Sequence, residues 1–345
     1  MASELLDVVG IGNAIVDVLV PTDDAFISQH GLNKGTMTLI DSARADSLYA
    51  AMGAGVEVSG GSCGNTMAGI ASLGGRGAYI GKVRNDQLGV VFAHDMRAIG
   101  VRFDTPPLTE GPATARCLIL VTPDAQRTMN TFLGACVELG PEDIDPDLIA
   151  NAQITYLEGY LFDPPRAKEA FRKAAKIAHE AERKVSLTLS DPFCVDRHRA
   201  EFRDLVAGDV DILFANEAEI LSLYEMTDFE DAVERVREDC ETAVLTRSEK
   251  GSVIVGREEM FYMTAHPMGE VPLSPLRFEE VVDTTGAGDL YAAGFLYGYT
   301  HGKALDVCGQ LGAMCAAEVI SHYGARPETS LIKLAEQYRL AGTYE

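Results

Sequence analysis

The segment from Val281 to Asp289, VVDTTGAGD, runs straight into LYAAGFLYGY, which reads as a helix. Gly286, Ala287 and Gly288 leave the backbone N–H groups at that helix start uncovered by side chains. A helix start has four unpaired N–H groups, and its aligned peptides favour negative charge. Such a loop can neutralise a phosphoryl oxygen without a lysine. It is not a Walker loop, because GxxxxGK[ST] is absent. Asp289 sits in the same first turn and fits two roles. It is an acid that caps the helix, or a general base that takes the proton of an attacking hydroxyl while the N–H groups hold the transferring group. A carboxylate of ordinary basicity suits a transfer in which little deprotonation precedes attack.

A second cluster is GGSCGN, Gly60 to Asn65. It is a turn, or a place where backbone comes close to a small polar ligand, with Gly61 opening the approach and Asn65 offering a donor and an acceptor. Asp17 is an acid inside an apolar strand sequence and needs a partner there. A ligand with vicinal hydroxyls suits it, since one carboxylate accepts from two. Asn216 and Glu219 lie three apart at a helix start after a strand. They form a capping box, or they arrange Mg²⁺ through water beside a triphosphate. The segment from Thr246 through Arg247 to Gly251 follows another strand and can hold nucleotide phosphates. Arg127, at the mouth of a hairpin, can close over a substrate.

These residues need a frame. LLDVVGIGNAIVDVLV, residues 5–20, is strand-like. Its Gly10-Ile-Gly12 is no dinucleotide fingerprint, because no third glycine opens a helix. SARADSLYAAM (42–52) reads as a helix capped by Asp41 or Ser42. A small-residue helix ends at Gly74-Gly75, followed by the strand AYIGKV and a helix stopped at Gly100. TARCLILVT and RTMNTFLGACV, joined by PDAQ, read as a hairpin. From Pro141 to Ala150 a short helix is expected, then strands and helices alternate. The clearest helix is PRAKEAFRKAAKIAHEAERK, with Ala167, Ala170, Phe171, Ala174, Ile177, Ala178 and Ala181 on one face. FEEVV (278–282) reads as a strand before the glycine loop. The alternation predicts an α/β fold of three layers, a mostly parallel sheet with helices on both faces, plus a small β-sheet lid. The expected division gives 1–12, 41–104 and 138–345 to the α/β domain, and 13–40 and 105–137, each a hairpin, to the lid.

The 345 residues carry a net charge of −23, which repels nucleic acid and anionic lipid, and no run of three Lys/Arg overrides it. The seven scattered cysteines include no CxxC and fit buried free thiols in a reducing compartment. The apolar stretch near the start is broken by Asn13 and Asp17, so it reads neither as signal peptide nor as membrane span. A cytoplasmic protein is expected.

Taken together, the chain resembles the ribokinase-like (PfkB-type) carbohydrate kinases from about residue 5 to about 330. GGSCGNTMAGIASLGG is similar to the family's first signature and DTTGAGDLYAAG to its second. IGKVRNDQLG and NEAE resemble two motifs between them. The resemblance implies ATP-dependent phosphorylation of a primary hydroxyl on a sugar or nucleoside, with Mg²⁺. It implies Asp289 as base, with Gly286, Ala287 and Gly288 as the anion hole. Asp17, Gly61 and Asn65 would hold ribose hydroxyls, with Asn13 nearby. Asn216 and Glu219 would serve Mg²⁺ and phosphate, and Thr246, Arg247 and Gly251 the nucleotide. Some members use K⁺, and Asp283 and Thr285 stand where that loop would begin.

Asp191-Pro192-Phe193 resembles the pattern of adenosine kinases, where an aromatic ring stacks on the base. The Arg127 strand resembles their lid strand, whose arginine reaches the phosphoryl region. Leu39, Leu133 and the Gly159-Tyr160-Leu161 turn can enclose a purine. Met37 stands where glutamine is expected near the base, which leaves inosine, guanosine or another ribosyl substrate open. The reading is thus a kinase for the 5′-hydroxyl of adenosine. The alternatives are a ribokinase-type sugar kinase and a non-catalytic sensor of nucleotides. Monomer and homodimer both remain open.

Overall fold

The computed structural model describes residues 5–341, apart from 125, 258 and 264–280. Among them, fourteen strands follow in chain order: β1 Leu6–Ile11, β2 Ile15–Pro21, β3 Met37–Leu39, β4 Val56–Ser59, β5 Gly77–Ile80, β6 Arg102–Phe103, β7 Ala115–Val121, β8 Arg127–Phe132, β9 Ala152–Glu158, β10 Lys184–Thr188, β11 Ile212–Asn216, β12 Thr242–Thr246, β13 Ser252–Gly256 and β14 Met260–Met263.

Nine of these form one sheet, in the order β14-β13-β12-β11-β10-β9-β1-β5-β6. From β12 to β6 all neighbours are parallel, and β13 and β14 close one edge antiparallel. Five of six residues of β1 are buried, as a parallel strand covered on both faces requires. Its side chains alternate between two cores. Val9 and Ile11 join the one that holds the helix Pro165–Glu180, and Val8 joins the one that holds the helices Ser62–Ser72 and Ala287–Thr300. These are the three expected layers. The helix Pro165–Glu180 buries Ala167, Ala170, Phe171, Ala174 and Ala178 of its expected face.

The other five strands form a small sheet, β3-β8-β7-β2-β4. β7 and β8 make the expected antiparallel hairpin. The hairpin expected within 13–40 does not form. β2 instead pairs parallel with β7 and antiparallel with β4, while β3 pairs with β8. The reason lies in the burial pattern of β2. Val16, Val18 and Val20 turn inward, and Val18 and Val20 pack with Ile27, Leu48, Leu118 and Leu120 in a core of their own. The small sheet therefore also draws on β4 and on the helix Ser42–Ala51, which carries Leu48 and is capped by Asp41. The expected boundaries put both segments with the α/β body.

Two further expectations shift. The helix expected over 141–150 is a short turn, Pro141–Asp143, and a helix, Pro146–Ala150, because Pro146 takes the first helical position. The strand expected at 278–282 lies partly outside the described residues, and Val281 and Val282 are not in a strand. All seven cysteines are buried and free. Among the described residues no helix is long and apolar enough to cross a membrane.

Candidate active site

The carboxyl ends of the parallel strands converge on one cleft of about 1280 Å³, roofed by the small sheet. β1 leads to Asn13, β9 ends at Glu158, β10 at Thr188, β11 at Asn216 and β12 at Thr246, and all five residues line it. This is where open α/β sheets bind ligands. Ile15 and Asp17, on the face of β2 opposite its buried valines, reach the cleft from the lid side.

Two helix starts meet there. The helix Ser62–Ser72 begins after Gly61, whose φ of +81° and close approach to Asn13 O admit no side chain. The helix Ala287–Thr300 begins after Gly286, at φ +80°, with no side-chain cap. Ala287 N donates to the carbonyl oxygen of Thr284 at 3.3 Å, and the N–H groups of Gly288 and Asp289 have no partner among the described residues. Asp289 does not cap its own helix. Its carboxylate accepts from Ser62 Oγ at 2.6 Å and from Asn65 Nδ2 at 2.9 Å, both on the facing helix. Burial pushes the Asp289 carboxyl up, and these two donors and the charge of Arg326 pull it back. The oriented, half-buried carboxylate beside an uncapped helix start is an arrangement that can accept a proton.

Two acceptors in the cleft are uncommitted. Asn65 Oδ1 is buried without a hydrogen-bond partner among the described residues. Burial pushes the Asp17 carboxyl up to about 7, and among the described residues only the charges of Arg326, Arg127 and Asp289 act on it, with no hydrogen bond. Buried polar groups of this kind normally find a partner, so the site has the chemistry of one that takes hydroxyl donors.

The structure brings most of the expected residues together. Asn13, Asp17, Gly61 and Asn65 form one wall. Met37, Leu39, Leu133, Tyr160 and Phe193 form an apolar one, with the Phe193 ring 73% exposed. Asn216, Glu219, Thr246, Gly251 and the stretch Thr285 to Asp289 line the remainder. Asn216 and Glu219 form the full capping box. Asn216 donates from N (2.9 Å) and Nδ2 (2.6 Å) to the Glu219 carboxylate, and Glu219 N donates back to Asn216 Oδ1 (2.8 Å). Both carboxylate oxygens are engaged, and burial pushes this carboxyl up to about 7.

Three expected residues do not line the cleft. Arg247 pairs with Glu217 at 3.1 Å and lies over the Phe229 ring at 3.9 Å. Arg127 pairs with Asp283 at 2.5 Å, both side chains only 8% exposed. Asp283 is otherwise saturated. Thr285 N (3.1 Å) and Oγ1 (2.7 Å) donate to Oδ1, and Gly324 N (3.0 Å) to Oδ2. An Asp283 carboxylate so occupied, with a guanidinium already against it, does not fit a K⁺ ligand.

Sequence reasoning missed Glu158, Ser62 and Arg326. Glu158 is 1% exposed and accepts from Asn13 N (3.3 Å), Asn13 Nδ2 (2.6 Å) and Cys63 N (2.9 Å). Burial pushes it up to about 7 despite these donors. It fixes Asn13 against the first helix turn. The signal was available, since Glu158 ends an apolar strand just as Asp17 interrupts one.

A ribokinase-like α/β body with a β lid and this carboxylate at an uncapped glycine helix start make the protein a phosphotransferase. The chain matches the pfkB family carbohydrate kinases over residues 36–331 and belongs to that family. It is similar to the crystal structure of a probable sugar kinase protein from Rhizobium etli CFN 42, at 53% identity and TM-score 0.88 over 98% of this chain and 99% of that one. It is similar to adenosine kinase from Sinorhizobium meliloti at 54% identity and TM-score 0.86, over 96% and 99%. Adenosine kinase of Saccharomyces cerevisiae is 26% identical over 337 residues, 91% of this chain and 94% of that one. The activity is thus ATP-dependent phosphorylation of a sugar or nucleoside.

Proposed function

We propose that the protein transfers the γ-phosphoryl group of ATP to the 5′-hydroxyl of adenosine, giving AMP and ADP. One observation carries this reading. A single cleft is walled by an exposed aromatic ring, Phe193, by two uncommitted acceptors, Asp17 and Asn65 Oδ1, and by the Asp289 carboxylate. An adenine, a pair of ribose hydroxyls and a 5′-hydroxyl need those three kinds of group. The similarity to adenosine kinases supports it.

In this reading Phe193 stacks on the base, with Met37, Leu39, Leu133 and Tyr160 closing the apolar wall. Asp17 and Asn65 accept from the ribose hydroxyls, and Glu158 keeps Asn13 beside them. The 5′-oxygen attacks the γ-phosphorus and forms the new O–P bond. The bond from phosphorus to the bridging oxygen breaks, and ADP leaves with that electron pair. The proton passes to Asp289. N–H groups at Gly286 to Gly288 hold the charge on the transferring group. Mg²⁺ would neutralise charge on the nucleotide phosphates; Asn216 and Glu219, their polar atoms committed to the capping box, would meet it only through its water shell. Thr246 and Gly251 line the nucleotide side. Arg127 has no contact with substrate while it is paired with Asp283.

The test is ADP release from Mg-ATP with adenosine, inosine, guanosine, cytidine, ribose and fructose in parallel. Selective turnover of adenosine to AMP is expected. Turnover of ribose alone would leave the chemistry at Asp289 but remove the base-stacking role of Phe193. No turnover of any would overturn the adenosine reading.

A further inference from the structure

Arg326 takes no part in the transfer as described, yet it sits beneath the turn that carries the site. It follows the helix Leu305–Val319 and turns inward. Nε (3.2 Å) and Nη2 (2.9 Å) donate to the carbonyl oxygen of Ser59, and Nη2 also to Ser59 Oγ (3.1 Å). Met96 Sδ lies 3.9 Å from Nη2. None of these partners is charged. The residue is partly buried with only neutral hydrogen-bond partners, and a fork of five donors is more than one seryl residue needs.

Its neighbours show what it supports. Ser59 ends β4, and Gly60 follows. A side chain on Gly60 would sit 2.3 Å from Asp17 Oδ2, so this backbone packs directly on the Asp17 carboxylate. On the other side, a side chain on Gly64 would sit 3.3 Å from Arg326 Nη2. Gly64 lies between Ser62 and Asn65, the two residues that hold Asp289. One guanidinium thus underlies a segment that packs on Asp17 of β2 at Gly60 and holds Asp289 of the helix Ala287–Thr300 through Ser62 and Asn65.

We propose that Arg326 is a positioning residue for the phosphoryl transfer: it clamps the Ser59–Gly61 turn and supplies the positive charge that Asp17 and Asp289 share. The electrostatics agree with the geometry. Arg326 pulls both carboxyls toward the ionised form against the burial that pushes them up. In return Asp17, Tyr79, Asp95 and Asp289 favour its charged form. The other charges around the pair are Arg127 on β8, which also acts on Asp17, and Glu158 and Glu219, each of which feels Asp289. Arg127 is neutralised by Asp283. Among the described residues, Arg326 is the cation that acts on both carboxylates.

This proposal rests on the reading of Asp289 as base. The test is the pH dependence of kcat/KM for adenosine in wild type, R326Q, R326K and D289N. In R326Q the acidic limb moves up by about one pH unit, a roughly tenfold loss of kcat/KM on that limb. In R326K the limb stays at the wild-type position while KM rises, because an ammonium keeps the charge but not the fork. A limb of folded R326Q that coincides with wild type overturns the proposal. Should R326Q fail to fold, the neutral variant R326M decides: a limb shifted upward supports it, and a limb that coincides with wild type overturns it. D289N separates the two claims. Turnover retained there defeats the base assignment, whereas an unmoved R326Q limb with an inactive D289N defeats only the role of Arg326.

Discussion

Asn65 Nδ2 donates to Asp289 Oδ2 at 2.9 Å, while the other end of the same amide, Oδ1, is buried without a partner. The bond fixes which way the amide faces, so the acceptor turns to the ligand. The residue proposed to bind a ribose hydroxyl is thereby the residue that orients the proposed base. N65D reverses both effects. Two carboxylates then face each other, and the repulsion raises the pKa of the pair. The expected result is an acidic limb of kcat moved upward by about one unit or more, with KM for adenosine also raised. A pH-rate profile measures it.

Asp17 predicts a pH dependence of binding. Its carboxyl is pushed from 3.8 up to about 7 by burial, and hydroxyls donate best to the ionised form. Adenosine affinity should therefore be weak in acid, rise through pH 7 and level off about one unit above it. Binding near neutrality should release a proton, measurable by calorimetry in buffers of different ionisation enthalpy. D17N should bind weakly with a flat profile.

The same shift bears on stability, with the sign set by the raised folded-state value. Such a carboxyl stabilises the fold below its unfolded pKa, and that contribution is lost as pH rises through about 7. Glu158 and Glu219, also pushed up to about 7, act in the same direction. The melting temperature of the ligand-free protein should carry a downward contribution between about pH 4 and 7, and D17N should reduce that slope.

Phe193 is 73% exposed, so its ring is not part of the core. F193A should leave the melting temperature within about 1–2 °C of wild type. It should raise KM for adenosine by about fivefold to a hundredfold, the range of one lost base stack of about 1–3 kcal/mol. Turnover of a free sugar, where detectable, should not change. Equal losses for adenosine and ribose would remove the stacking role.

Asp283 predicts independence from monovalent cations. Its oxygens are occupied by Thr285, Gly324 and the Arg127 guanidinium. Replacing K⁺ by tetramethylammonium at constant ionic strength should leave kcat within about twofold, a change too small to reflect a lost bound cation. A steep, saturable activation by K⁺ would show that Asp283 is reorganised during turnover.

Much of this was legible in the sequence because it is local. The glycines at 286 and 288 announce an open helix start, and the apolar runs of β1, β9 and β10 announce a parallel sheet. Asp17 and Asn65 stood out because a polar residue in an apolar or glycine-rich setting needs a reason. What escaped depends on pairing across long separations. β2 looked like one arm of a hairpin, but its partners are β4 and β7, chosen by which face its valines bury. Arg127 and Asp283 were each assigned a ligand, and they are each other's partner. Arg247 was given to the nucleotide, and Glu217 and Phe229 hold it instead. A charged residue shows its type in the sequence but not which opposite charge folding brings to it. Arg326 carried no signal at all, because its carbonyl partner at Ser59 is backbone.

The most direct measurement is D289N, compared with wild type for adenosine binding by calorimetry and for kcat with Mg-ATP. The substitution keeps the size of the side chain and removes its ability to take a proton. The account predicts adenosine binding within about threefold of wild type and a loss of roughly 10²-fold to 10⁴-fold in kcat. A folded D289N that binds adenosine and keeps more than about a tenth of wild-type turnover would contradict it, because general-base catalysis is worth far more than that.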